Sequence, residues 1–228
     1  MKNKELKDII QWQVHLWKIP LLYWEKSIAW EKFEQPNALE IGAREGGLSL
    51  WLSQKNFNVV CSDLQNPENI ANPLHKKYNV QDKIIYASID ATNIPYENHF
   101  DIIILKSVLG GIGSNHQSEK QIKTIKEIYK ALKPSGYFLF AENAKGSLVH
   151  QILRKSKKWN AYWNYPTYDF MKQHISATFK NYEIKGVGFC SSLLPIDHFQ
   201  KIFVPIDKVL SNIVPLSYQP ILYGFAQK

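Results

Sequence analysis

The sequence predicts an α/β fold: a doubly wound sheet of about seven strands, mostly parallel with an antiparallel last strand, preceded by helices. Three observations carry that reading. From Asn37 onward short apolar runs alternate with amphipathic stretches, the pattern of strands and helices taken in turn. The run Asp101-Ile102-Ile103-Ile104-Leu105-Lys106 is apolar on both faces, as a buried parallel strand must be. At 228 residues, 45% of them hydrophobic and 13% aromatic, the chain buries a core without disulfides or a structural metal, so one domain with decorations is expected.

Leu6, Ile9, Ile10, Gln13 and Trp17 recur at helical spacing, and Pro20 is expected to interrupt before a second helix from Leu21 to Trp30. Tryptophans 12, 17, 24 and 30 make residues 1–35 aromatic. This segment reads first as a cover on the sheet, then as the lining of an acceptor pocket or a contact with a membrane surface. Residues 37–141 then read as strand Ala38 to Ile41, helix Gly47 to Lys55, strand Asn58 to Ser62, helix Glu68 to Tyr78, and strand Ile84 to Ser88. Strand Asp101 to Lys106 follows, then helix Gln117 to Leu132, a turn at Lys133-Pro134-Ser135-Gly136, and strand Tyr137 to Ala141. Residues 142–180 form a basic, aromatic insertion, irregular until a helix from Thr167 to Ile175. Residues 181–228 close the fold with strand Tyr182 to Phe189, a helix from Ile196 to Ser211 broken at Pro205, and strand Ile221 to Ala226.

The net charge of +8 is concentrated. Residues 145–185 carry 8 Lys+Arg against 2 Asp+Glu, while residues 1–144 carry 17 against 16. A local excess of this kind favours an anionic partner or forms a solvated lysine face. No apolar run reaches the length of a membrane span, and the start Met1 to Asp8 lacks the order of a secretory signal, so a cytoplasmic protein is expected. Cys61 and Cys190, each in an apolar run, suit buried thiols and are too few for a cysteine metal cluster.

The chemistry begins at Leu39-Glu40-Ile41-Gly42-Ala43-Arg44-Glu45-Gly46-Gly47. A strand running into a glycine turn and then a helix lets backbone approach a ligand and offers free amides to an anion. Asp63, with Leu64 beside it, closes the second strand about 20 residues on, where a carboxylate accepts both hydroxyls of an adenosine ribose. Asp90 and Ala91 follow the third strand, placed to meet the adenine. Taken singly, each acid also reads as a helix cap or turn residue, and the glycine turn alone suits any nucleotide phosphate. A nicotinamide dehydrogenase is disfavoured, because Gly42-Ala-Arg-Glu-Gly46-Gly47 lacks the G-x-G-x-x-G spacing.

These residues resemble the class I S-adenosylmethionine-dependent methyltransferases, which have a Rossmann-like fold. Glu40-Ile-Gly42-Ala-Arg44-Glu-Gly46 sits where that family has its acid-x-Gly-x-Gly-x-Gly loop, Asp63 matches its ribose acid, and Asp90-Ala91 its adenine contact. Phe100 to Lys106 looks like its fourth strand, and Ile128 to Gly136 like its turn into the fifth. The resemblance implies S-adenosylmethionine as cofactor and S-adenosylhomocysteine as product. It makes Glu40, Gly42, Arg44, Gly46, Asp63, Leu64, Asp90, Ala91 and Lys106 the cofactor contacts. Arg44 stands where the middle glycine usually is, which suggests a wider loop with its guanidinium near the methionine carboxylate or facing solvent.

The acceptor is read mainly by exclusion. After the fourth strand, Lys106-Ser107-Val108-Leu109-Gly110 has no Asn/Asp-Pro-Pro-aromatic motif for a nucleobase amine, and Lys106 replaces the Asp ligand of the metal-dependent catechol enzymes. An oxygen acceptor is expected, without a metal, with His116 or Glu142 as general base and His150, His174 and His198 in reserve. The combination of the glycine loop, Lys-Ser-Val-Leu-Gly-Gly-Ile-Gly and a basic aromatic insertion is similar to methyltransferases of bacterial surface polysaccharide biosynthesis. Arg154, Lys158, Trp163, Tyr165 and Tyr168, with Lys155, Lys157, Trp159 and Tyr162, offer cations to a phosphate or acidic sugar and flat rings to a pyranose. A glycan or phosphoryl-linked acceptor therefore leads. Another small-molecule hydroxyl, in a natural product or a lipid, comes next, then RNA, then a catalytically silent binding protein. Only two arginines in the chain argue against an extended nucleic-acid surface. Peripheral membrane contact is compatible with this reading, and the oligomeric state stays open.

Overall fold

The computed structural model describes residues 3–155, 162–193 and 197–228, without the side chains of residues 3 and 197–200. A seven-stranded sheet in the order β3-β2-β1-β4-β5-β7-β6 organises the molecule. Strands β1 (Asn37–Ile41), β2 (Asn58–Asp63), β3 (Ile84–Ser88), β4 (Phe100–Lys106) and β5 (Leu132–Asn143) are parallel neighbours; β7 (Ile221–Gln227) runs antiparallel between β5 and β6 (Asn181–Val187). Six strands therefore share one direction, as the alternating pattern predicts.

Helices cover both faces. On one side α1 (Asn3–Ile10), α2 (Val14–Ser27), α3 (Gly47–Gln54), α4 (Pro67–Lys77) and α9 (Asp197–Leu210) enclose a core built on Trp17, Trp24, Trp51 and Phe57. On the other, α6 (Ser118–Ala131) and α8 (Tyr168–Thr178) bury Ile125, Ile128, Met171 and Ile175 against Phe138 and Phe140. The N-terminal tryptophans belong to the first core: Trp17 and Trp24 are buried, Trp12 and Trp30 pack beside them, and Trp24 Nε1–H donates to Gly224 O at 2.9 Å. Trp12 also reaches the site described below.

Several boundaries differ from the sequence expectation. Pro20 does not break a helix; it is buried inside α2, and the break falls at Gln11 and Gln13, whose backbones are left-handed at φ 72° and 45°. Pro205 likewise lies within α9. A proline inside a helix removes one hydrogen bond and crowds the preceding turn; in α2 burial of Leu16, Trp17, Leu21 and Trp24 offsets this. The segment Lys133 to Gly136 is not a separate turn: β5 already pairs at Leu132 with Phe100, and a register shift before Ile102 absorbs the extra residues. Two helices were not expected, α5 (Leu109–Ile112) and α7 (Leu148–Lys155). Cys61 is buried as expected, whereas Cys190 is half-exposed on the turn after β6. Among the described residues no helix is long and apolar enough to cross a membrane.

Candidate cofactor and acceptor site

The carboxyl ends of β1, β2, β3, β4 and β5 bring Gly42, Asp63, Asp90, Lys106 and Glu142 to one edge of the sheet. The chain leaves β1 through Gly42 at φ 67°, where a Cβ would lie 2.6 Å from Val108 Cγ2, so the turn tolerates little else. Arg44 occupies its place by adopting the left-handed backbone itself, at φ 48°; its side chain is exposed, with the guanidinium 5.4 Å from the Trp12 ring. Arg44 N–H donates to Asp63 Oδ2 (3.0 Å), and Leu64 N–H donates to Asp63 Oδ1 (2.8 Å). The ribose-acid candidate is thus locked in orientation against the glycine turn, with lone pairs still available to a ligand.

Glu40 points inward. Its Oε2 accepts from Ser49 N–H (2.7 Å) and Ser49 Oγ (2.6 Å), tying β1 to the first turns of α3, and burial raises its carboxyl to about 7. Lys106 lies nearby at the end of β4: its ammonium donates to Ile10 O (2.5 Å) and sits 3.5 Å from the centre of the Trp12 ring. This enclosure pushes the ammonium down to about 7, opposed by attraction to Glu40.

Asp90 Oδ1 accepts from the N–H and hydroxyl of Thr92, which holds the exposed carboxyl below its usual range, and Ala91 is buried beside it. Sequence reasoning missed His75. Its Nε2 lies 2.8 Å from Gly46 O and its Nδ1 2.8 Å from Tyr86 OH, so a buried histidine in α4 clamps the glycine loop from behind. Nothing in a lone histidine within a proline-containing helix signals that contact.

The site has two halves. A cleft of about 370 Å³, lined by Arg44, Glu45, Asp63, Leu64, Gln65 and Ile70, opens at the end of β2. Beneath Trp12, bounded by Glu40, Gly42, Gly47 and Lys106, the space is only about 10 Å³, enough for about one water molecule. The end of α1 fills it: a Cβ on Gly47 would meet Ile9 O at 2.1 Å.

On the acceptor side, Glu142 is fully buried. Its Oε1 accepts from Val108 N–H (2.8 Å) and Leu109 N–H (3.1 Å), while Oε2 has no partner, and burial raises the carboxyl to about 8. The two amides hold Glu142 against the turn into α5, and burial favours its protonated form. His116 is exposed on the turn before α6 at φ 63°, outside the lining of both cavities; its neighbour Asn115 N–H donates to Tyr162 O (2.9 Å). Of the reserves, His150 is buried with Nε2 3.0 Å from Phe189 O, His174 packs on Phe170, and the side chain of His198 lies outside the described residues.

The insertion is more structural than its composition suggests. Arg154, expected to meet an acceptor, donates to Ala144 O (2.5 Å) and Pro220 O (3.3 Å) and stacks 4.4 Å from the Tyr165 ring. Trp163 lies on Gly110 and Gly111 with its Nε1 buried and unpartnered, and Tyr168 opens α8. Lys157, Lys158 and Trp159 lie outside the described residues.

The buried carboxyls make stability pH-dependent. Glu142 and Glu40 hold protons in the folded state that the unfolded chain releases above about 4.5, so their contribution is present below that pH and fades as pH rises through about 7 to 8. Lys106 has the opposite sign: the unfolded chain holds its proton up to about 10.5 and the folded chain only to about 7, so stability gains with pH above 7. Urea unfolding should show Glu142→Gln flattening the loss between pH 4.5 and 8; an unchanged profile would deny the buried proton.

A family model described as a methyltransferase domain matches residues 23–184. The chain belongs to the methyltransferase domain family. No curated protein matches it by sequence. Among solved structures, phosphoethanolamine N-methyltransferase 2 of Haemonchus contortus, in complex with S-adenosyl-L-methionine, superposes with a TM-score of 0.64 at 17% identity, covering 96% of this chain and 56% of that one. The chain thus spans little more than half that enzyme's length. A putative methyltransferase from Bacillus halodurans gives a TM-score of 0.59 at 13% identity over 86% of this chain and 94% of that one. The [4+2]-cyclase SpnF gives 0.61 at 15% identity, covering 92% and 80%. These likenesses share the fold; a cyclase among them shows that the fold alone does not set the reaction.

Proposed function

We propose that this methyltransferase takes S-adenosylmethionine as cofactor and transfers its methyl to an oxygen of a small acceptor, leaving S-adenosylhomocysteine. The observation that carries the reading is the Asp63 carboxylate, fixed by Arg44 and Leu64 amides at the mouth of a cleft whose volume falls in the ~300–1,000 Å³ range of small-molecule sites. Asp63 accepts the ribose hydroxyls, Leu64 and Ile70, both exposed, offer an apolar wall to the base, and Asp90 and Ala91 stand beyond them. The methionine end fits between Gly42 and Lys106 only once Gln11 and Trp12 move, since they fill that half.

The cofactor supplies an electrophilic methyl on a sulfonium, and most of the catalysis asked of the protein is alignment and exclusion of water. Glu142 fixes the turn after β4 and Trp163 covers that turn; His116, next in sequence to the Asn115 N–H that donates to Tyr162 O, is the base for a hydroxyl acceptor. The acceptor is a sugar or phosphoryl-linked group of a bacterial surface glycan or its precursor. The supporting feature is the run of cations and rings from Lys145 to Tyr168, which holds no acid. The test is mass spectrometry of surface glycans from cells lacking the protein, where loss of one methyl increment is expected and an unchanged glycan removes this acceptor. In purified enzyme, His116→Ala should lower turnover by roughly 10²–10⁴-fold with S-adenosylhomocysteine affinity kept; unchanged turnover would move the base elsewhere.

A further inference from the structure

We infer that the outer faces of α7 and α9 form one surface that docks on an anionic lipid bilayer. Leu148, Val149 and Ile152 on α7 are 75%, 53% and 64% exposed, far above what core-facing aliphatics show. On and just after α9, Ile202, Ile206, Val209 and Ile213 are 56%, 45%, 61% and 72% exposed, at spacings of four, three and four that make one helical stripe. Both helices are pinned to the same short turn after β6. His150 of α7 meets Phe189 O, and Asp207 of α9 accepts from Cys190 N–H (2.7 Å) and Ser191 N–H (2.8 Å). Among the described side chains, His150 and Asp207 turn inward with Val204, and the seven aliphatics above turn outward.

The charge around this patch names the occupant. On and just before α7 the exposed charges are Lys145 and Lys155, and the described residues between Glu142 and Asp169 include no acid. From Lys201 to Leu210 the exposed charges are Lys201 and Lys208, Asp207 being buried. Among the described residues, exposed aliphatics framed by lysines, with Asp207 withdrawn, match a surface of acyl chains beneath anionic headgroups. A second copy of the chain would bring the same lysines against themselves. The N-terminal tryptophans take no part: Trp17 and Trp24 are buried in the core, and Trp12 and Trp30 pack against it. Because α7 follows the carboxyl end of β5, docking sets the cleft's edge of the sheet beside the bilayer. An acceptor carried on a lipid is then within reach, a consequence that rests on the methyltransferase reading.

The test is co-sedimentation of the full chain, without cofactor, with vesicles of phosphatidylcholine alone and of phosphatidylcholine mixed with phosphatidylglycerol. Binding to the anionic vesicles is expected, at least about tenfold stronger than to neutral ones and weakened by salt. Ile206→Asp with Val209→Asp, and separately Lys201→Glu with Lys208→Glu, should each abolish it while circular dichroism and urea unfolding stay unchanged, these side chains being exposed. Absence of binding, equal binding to neutral vesicles, or binding insensitive to either pair would overturn the proposal. So would a concentration-dependent dimer that Ile206→Asp with Val209→Asp dissolves, which would assign the face to a second copy.

Discussion

Asp63→Ala is expected to lose about 10- to 100-fold in affinity for S-adenosylhomocysteine, the equivalent of roughly 1.5–3 kcal/mol for hydrogen bonds to a charged acceptor. The effect is large because the carboxylate acts twice. It accepts from the amides of Arg44 and Leu64, holding the glycine turn against β2, and it is the acceptor left facing the cleft. Asp63→Asn separates the two: the amide oxygen can retain one backbone contact while the charge is lost, so an intermediate affinity is expected. Titration calorimetry reads both variants, and affinity equal to the wild type in Asp63→Ala would place the ribose elsewhere.

Trp12→Ala is expected to speed both association and dissociation of the cofactor by about tenfold, with a smaller change in affinity. Trp12 roofs the methionine half of the site, its ring 3.5 Å from the Lys106 ammonium, which also holds Ile10 O. Gln11 and Gln13, both left-handed, flank it and give the segment two points at which to turn. Opening this roof in the wild type breaks a cation–π contact and a charged hydrogen bond together. Stopped-flow measurement with a fluorescent S-adenosylhomocysteine derivative checks it. Unchanged rates would mean that the cofactor enters without lifting Trp12.

Much of the sheet was legible because parallel strands announce themselves. Ile102 to Leu105 is apolar on both faces, and β3 begins and ends where its apolar run does. The gathering of Gly42, Asp63, Asp90 and Lys106 at one edge follows from topology once those strands are ordered. What the sequence concealed depends on contacts between distant residues. Pro20 reads as a helix breaker locally, but α2 is held by burial of Leu16, Trp17, Leu21 and Trp24, and it survives. Gly110 and Gly111 read as loop, yet Trp163 and Glu142, both distant in sequence, stabilise a helical turn there. Arg154 looked like a ligand for phosphate because its charge is visible in sequence, while the carbonyls of Ala144 and Pro220 that take up its donors are not. His75 has no motif and clamps the loop that does.

The central claim is that the edge bearing Asp63 and the Gly42 turn is a site for S-adenosylmethionine. Titration of the wild-type chain with S-adenosylhomocysteine in a calorimeter tests it most directly. Saturable binding at a single site, weakened by Asp63→Ala, is the predicted result. The absence of saturable binding to the folded wild-type chain would contradict it.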